Sequence, residues 1–319
     1  MTSQASTTQA ALEPFFPAGA LCEEKHLVHL RMLAKRIRMA SLPQLQGMLA
    51  GTHLSKQKGR GLDLDELRIY QPGDDIRTID WRVTARTQLP HTRLYKEERE
   101  RPVMILCDQR SPMFFGSKRC FKSVTAAQCF SLIAWAAIEH GDKVGAFLLG
   151  DNGEIDFRPK QRAQHVLHIL QHLIQFNRQL ANSDHNIQRS LSESLQHIKR
   201  SLKPGTTLFL ISDFYDLNEA DKEVLFQLKR HNHVVALQVF DPLEREVPPT
   251  GTYGVNDGVQ ESVLNIQGNN RKQYKEALDI WQQGLNSLFQ KLSVSHHLVS
   301  AGDIPYSAIK LALEQKGRV

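Results

Sequence analysis

From Arg101 onward the chain alternates short apolar runs with longer stretches of helical period. Val103-Met-Ile-Leu-Cys107 is a continuous apolar run of the kind found in a strand buried on both faces. Lys118 to Glu139 follows as a helix, His140-Gly141-Asp142 breaks it, and Lys143 to Leu149 supplies the next strand. Asp151-Asn-Gly153 reads as a tight turn into a strand from Glu154 to Phe157. Helical periods then cover Gln161 to Phe176 and Ile187 to Leu202, and Pro204-Gly205 resets the chain before the apolar strand Thr206 to Ser212. Beyond it come a helix (Asn218 to His231), a strand (Val234 to Phe240) and a hairpin from Gly251 to Ile266 around Asn256-Asp-Gly258. A helix from Asn270 to Leu292, a strand from His297 to Ser300 and a helix from Pro305 to Glu314 close the chain. Strands separated by helices pair in parallel through right-handed crossovers, with helices on both faces. The pattern therefore predicts a Rossmann-like, doubly wound, mainly parallel α/β sheet over residues 101–316.

The N-terminal third is organised differently. Residues 1–20 open with a Ser/Thr/Gln-rich stretch and read as a flexible start, and residues 21–100 as an extension packed on the α/β domain. Within it, Lys25 to Met39 places Leu27, Leu30, Leu33 or Ala34, and Ile37 at helical spacing, which predicts an amphipathic helix seated on its own domain with a solvated basic face. Residues 68–86 gather Asp74, Asp75 and Asp80 with Arg68, Arg77, Arg82 and Arg86 around Ile76, Ile79, Trp81 and Val83. Arginine forks suit bidentate carboxylate pairing, so this segment is expected to be an ordered, partly buried ion-pair lattice with Trp81 turned out of water.

The same residues carry a resemblance. Gly59-Arg-Gly61, the run from Leu62 through Arg68 to Gln71-Pro-Gly73-Asp-Asp, and Arg77-Thr-Ile-Asp80-Trp81-Arg-Val-Thr-Ala85-Arg86 resemble the signature of the bacterial family called domain of unknown function fifty-eight, closely over roughly residues 50 to 120. That resemblance implies a von Willebrand factor A-like fold and a partnership with MoxR-type AAA+ ATPases, beside which such proteins tend to be encoded, and with other von Willebrand A-domain proteins. In von Willebrand A domains a metal-ion-dependent adhesion site uses an Asp-x-Ser-x-Ser loop, a later Thr and a further Asp. Asp108 and Asp213 match the acidic positions and Ser183 stands where the Thr would be, but Arg110 and Pro112 occupy the two Ser positions and Ser111 is displaced by one. Asp108, Ser111, Ser183 and Asp213 are thus the candidate magnesium ligands. The expectation preferred over them is a degenerate, metal-free site in which the Arg110 guanidinium neutralises Asp108 or Asp213.

Composition narrows the alternatives. The chain has 319 residues, 41% of them hydrophobic, and its longest apolar stretch, around Phe130 to Ile138, is too short to cross a bilayer. Met1 to Gln9 lack the basic start and apolar run of a secretory signal, so a cytoplasmic location is expected. Cys22, Cys107, Cys120 and Cys129 show no metal-binding spacing and read as packing residues. A net charge of +6 suits several acidic partners, yet no nucleic-acid reader motif is present. His165, His168 and His172 share a helix face, where three imidazoles have the spacing of zinc ligands, but their apolar neighbours favour an ordinary amphipathic helix. No phosphate-binding loop, nucleophile elbow or zinc-protease motif occurs. The expectation is therefore a non-enzymatic adaptor without a cofactor, whose binding residues are Asp74, Arg77, Asp80, Trp81, Arg82, Arg86 and Arg110. The alternative is a metal-dependent hydrolase built on Asp108 and Asp213.

Overall fold

A computed structural model describes residues 11–37, 62–71, 76–97, 102–181, 190–218, 221–256 and 261–314. In chain order its principal elements are α1 (Glu24–His29), α2 (Arg31–Ala34), β1 (Leu62–Ile69), α3 (Trp81–Thr87), β2 (His91–Glu97), β3 (Pro102–Gln109), α4 (Lys122–Glu139), β4 (Lys143–Gly150), β5 (Gly153–Lys160), α5 (Ala163–Leu180), α6 (Leu191–Ser201), β6 (Thr207–Ser212), α7 (Asp221–His231), β7 (His233–Phe240), β8 (Gly251–Asn256), β9 (Glu261–Ile266), α8 (Gly268–Lys291), β10 (Ser295–Ser300) and α9 (Tyr306–Glu314). Contacts divide the chain into two compact units, residues 1–43 with 101–319 and residues 44–100. Residues 21–43 thus group with the α/β unit, whereas the sequence reading places the whole of 21–100 in one extension.

The larger unit is a six-stranded sheet in the order β10-β7-β6-β3-β4-β5, parallel throughout except where β5 returns antiparallel beside β4. This is the doubly wound α/β arrangement expected from the alternation of runs. Side chains of a strand alternate between faces, so the unbroken run Val103 to Cys107 is apolar because both faces are covered. Val103, Ile105 and Cys107 enter a core with α4, α5 and α9, while Met104 and Leu106 enter a second core with α6, α7 and the end of α8. All four cysteines are buried, free thiols.

Helix α4 is buried along its whole length from Lys122 to Ala137, so it has no solvated face. One side lies on the sheet. The other is closed by the N-terminal segment: Ser131 Oγ and Trp135 Nε1 both donate to the Leu27 carbonyl, at 2.5 and 3.2 Å, and Leu27, Leu30, Leu33 and Ile37 join the same core. Arg31 lies over the Trp135 ring and bonds Glu139 at 2.7 Å, and the Cys22 amide donates to Asn177 Oδ1 on α5 at 2.8 Å. The apolar stripe from Leu27 to Ile37 is therefore core, as the amphipathic spacing predicts, although it is carried by two short helices rather than one long one.

In the smaller unit β1 and β2 pair antiparallel, with an irregularity between Leu64 and Glu66. Asp80 starts α3: its Oδ1 accepts from the Arg82 and Val83 amides at 3.0 and 3.2 Å, the ordinary way an aspartate satisfies the first free donors of a helix. The alternation Ile79 to Val83 is thus a helix start, and Trp81 is 66% exposed rather than turned out of water. A seven-residue helix cannot enclose an indole at its first position without a neighbour lying across it.

Two tests follow from the packing. Leu30→Ala should cost about 2–5 kcal/mol in urea unfolding, the range for a cavity in a close-packed core; a loss below about 1 kcal/mol would return residues 21–37 to the status of a surface attachment. The second concerns acid. Burial, assisted by Lys229, pushes His233 down to about 4, and burial with His297 and Arg245 does the same at His296. An unfolded imidazole titrates near about 6.5, so between these values the unfolded chain binds more protons and stability is lost as pH falls. The melting temperature should drop from pH 6.5 toward 4 and drop less in the His233→Asn, His296→Asn double variant; identical profiles for both proteins would dismiss these two histidines as the cause.

Candidate functional site

The connections from β3 and β6 leave in opposite directions, so the strand order reverses between them, and ligands of open α/β sheets gather outside the carboxyl ends of strands at such a point. Cys107 pairs in register with Ile211, which brings the next residues, Asp108 and Ser212, level at that edge. Ser212 Oγ donates to Asp108 Oδ2 at 2.7 Å. Arg110 folds back on the same carboxylate through Nε (3.0 Å to Oδ1) and Nη2 (2.8 Å to Oδ2). Its Nη1 and Nη2 also reach Asp216, at 2.6 and 3.0 Å. Asp216 in turn accepts from the Leu191 amide at the start of α6, at 2.9 Å. One arginine, only 2% exposed, so joins the loops after β3 and β6 to a helix N-terminus.

A second cation lies alongside. Lys122, from the first turn of α4 and also 2% exposed, bonds Asp213 at 2.8 Å and Glu244 at 2.5 Å. Asp213 accepts from the Tyr215 amide at 3.0 Å, and Glu244 from the Asp241 amide at 2.9 Å. The remaining loops are tied by serine–aspartate pairs: Asp151 accepts from the amide and hydroxyl of Ser111, and Asp241 from those of Ser117. Desolvation disfavours both buried cations, but their carboxylates outweigh it, so Arg110 and Lys122 are held protonated well above their ordinary ranges. Burial acts on Asp216 upward, yet the Arg110 hydrogen bonds keep it below the usual carboxylate range, while burial prevails at Glu244 and pushes it up.

Sequence reasoning brings Asp108 and Arg110 together correctly. Asp213 is at the same edge, but its cation is Lys122. Ser111 bonds Asp151 instead of joining the two acidic positions, because the helical turn Ser111–Met113 carries it toward the β4–β5 turn. Ser183 and Asp74 lie outside the described residues. Arg77 sits in the turn Ile76–Thr78, and Arg82 and Arg86 are exposed on α3, one turn apart on a shared face. Lys122, Asp216, Glu244 and Asp151 were missed. The available signal for Lys122 was its place at the head of a stretch with no further charge until Glu139, since a lysine is rarely fully buried unless paired. His165, His168 and His172 ring the Phe157 side chain, each edge-on or nearly so at 5.2 to 6.2 Å, which is aromatic packing.

The family described as protein of unknown function DUF58 matches residues 66–281. The chain belongs to that family. Uncharacterized proteins from Mycobacterium bovis and Mycobacterium tuberculosis are each 27% identical over 244 residues, covering 76% of this chain and 74% of theirs. The crystal structure of a conserved hypothetical protein, BatB from Bacteroides thetaiotaomicron, is similar at 14% identity and a TM-score of 0.36, covering 60% of this chain and 98% of its own. The divalent ion that the von Willebrand A resemblance implies needs free oxygen ligands, whereas here Asp108 and Asp213 are bonded to a guanidinium and an ammonium group. This donor set is a poor fit to a metal.

Arg110→Ala should accordingly cost about 3–5 kcal/mol of stability, because it leaves buried carboxylates without their counter-charge. Magnesium should leave the melting temperature of the unmodified protein unchanged; a clear rise on its addition would restore the metal site.

Proposed function

We propose that the chain is a non-enzymatic interaction module, a cytoplasmic adaptor for a MoxR-type AAA+ ATPase acting in protein maturation or remodelling, with other von Willebrand A-domain proteins as further partners. The observation that carries this reading is the state of the switch point. Asp108 and Asp213, the two groups a metal-dependent hydrolase would need free, are buried and committed to Arg110 and Lys122. An acid or base locked in a buried ion pair is poorly suited to exchanging protons with a substrate. The family resemblance supplies the ATPase, and α3 supplies a docking element for it, presenting exposed Trp81 with Arg82 and Arg86. Tryptophan and arginine dominate the energetic centres of protein interfaces.

Association with the neighbouring MoxR-type ATPase, followed by surface plasmon resonance in ATP and in ADP, tests the proposal. Arg82→Ala and Arg86→Ala should each weaken it by about 1–3 kcal/mol while circular dichroism stays unchanged. Unaltered binding by both folded variants would discard α3 as the interface, and failure of the unmodified chain to bind in any nucleotide state would reject the adaptor.

A further inference from the structure

The switch point carries more negative charge than its own cations neutralise. Asp108, Asp213, Asp216 and Glu244 face Arg110 and Lys122, which leaves two negative charges over in a chain whose net charge is +6. The cations are almost wholly enclosed, while the side chains of Asp216 and Glu244 remain 32% and 34% exposed. Next to Asp216 in the chain, Tyr215 is 71% exposed. That exposure is built into the backbone. Phe214 takes a left-handed conformation (φ 60°) and is buried against Phe289, 5.2 Å between ring centroids, so that the next side chain is left in solvent. A bulky residue adopts that conformation only where its surroundings fix it, and the buried packing of Phe214 does so.

From this combination we propose that the face takes a basic polypeptide segment of a partner, with an arginine stacked on Tyr215 and hydrogen-bonded to the exposed edge of Asp216. This rests on reading the chain as an interaction module and adds the chemistry of what it holds. A guanidinium group satisfies both features at once, since it is attracted to an aromatic face and donates in a planar fork to a carboxylate. An acidic partner would meet the opposite. Arg110 and Lys122 are beyond its reach; of the other cations at this edge, Lys118 and Arg119 lie beside Gly302 and Asp303, with Lys118 on the Pro242 side, and Arg245 is laid over the Phe240 ring. A metal-bearing site of the kind implied by the resemblance takes an acid through its ion. Supplying the positive charge from within inverts that polarity, because the carboxylates then present their outer edges to the partner.

The test is fluorescence anisotropy of the full-length protein with three labelled peptides of alternating glycine and arginine, glycine and lysine, or glycine and aspartate. The arginine peptide should bind, more tightly than the lysine peptide, and the aspartate peptide should not. Tyr215→Ala should weaken arginine-peptide binding about tenfold and Tyr215→Phe should retain it, since the ring face is what stacks. Tyr215 is exposed, so both variants should melt with the parent protein. Preference for the aspartate peptide, absence of binding to all three, or equal arginine-peptide binding by Tyr215→Ala would each overturn the proposal. Because α3 is unaltered in these variants, association with the ATPase measured in parallel distinguishes failure here from failure of the adaptor reading.

Discussion

The Arg110 guanidinium is the constraint on which the carboxyl edge of the sheet depends. It is enclosed by protein and bonded to Asp108 near the end of β3 and to Asp216 on the loop after β6, and Asp216 in turn holds the first amide of α6. A buried ion pair is weak evidence of stabilisation relative to apolar packing, since desolvation consumes most of the Coulombic gain. Its effect here is directional. Donors and acceptors that must all be satisfied admit few alternative geometries, so three segments distant in sequence are held in one arrangement.

The Lys122 pair repeats this logic from the other side of the edge and explains an oddity of α4. A helix buried on every side tolerates few charges, and Lys122 is admitted because Asp213 and Glu244 receive its ammonium group. Loops between layers of α/β domains are usually where sequence and geometry are free to vary. At this edge serine–aspartate and cation–carboxylate bonds tie them down, leaving Tyr215 and parts of Asp216 and Glu244 for contact with the surroundings.

Most of the α/β unit was legible because its strands and helices differ in period and are separated by strong breakers. Val103 to Cys107, His140-Gly-Asp142 and Pro204-Gly205 each mark a boundary within a few residues of where it falls. The failures share a cause. Trp81 was expected to be buried on the strength of its own hydrophobicity, but Asp80 starts a short helix there and burial depends on neighbours that local pattern does not name. Arg110 was found because Asp108 lies two residues away; Asp216 and Lys122 escaped because their partners come from other loops, 106 and 91 residues distant. Local chemistry is written in sequence, whereas pairing across the edge is written in topology.

The seating of α1 and α2 on α4 has a consequence for the chain's architecture. Residues 44–100 form their own compact unit, yet the residues on both sides of them, Leu27 before and Trp135 after, meet within one core. In chain order the smaller unit is therefore an insert within the larger one. Closing a loop costs entropy only logarithmically in its length, about 0.6 kcal/mol for each doubling. As far as chain entropy goes, the host domain is thus nearly indifferent to the length of what is carried between Leu27 and Trp135.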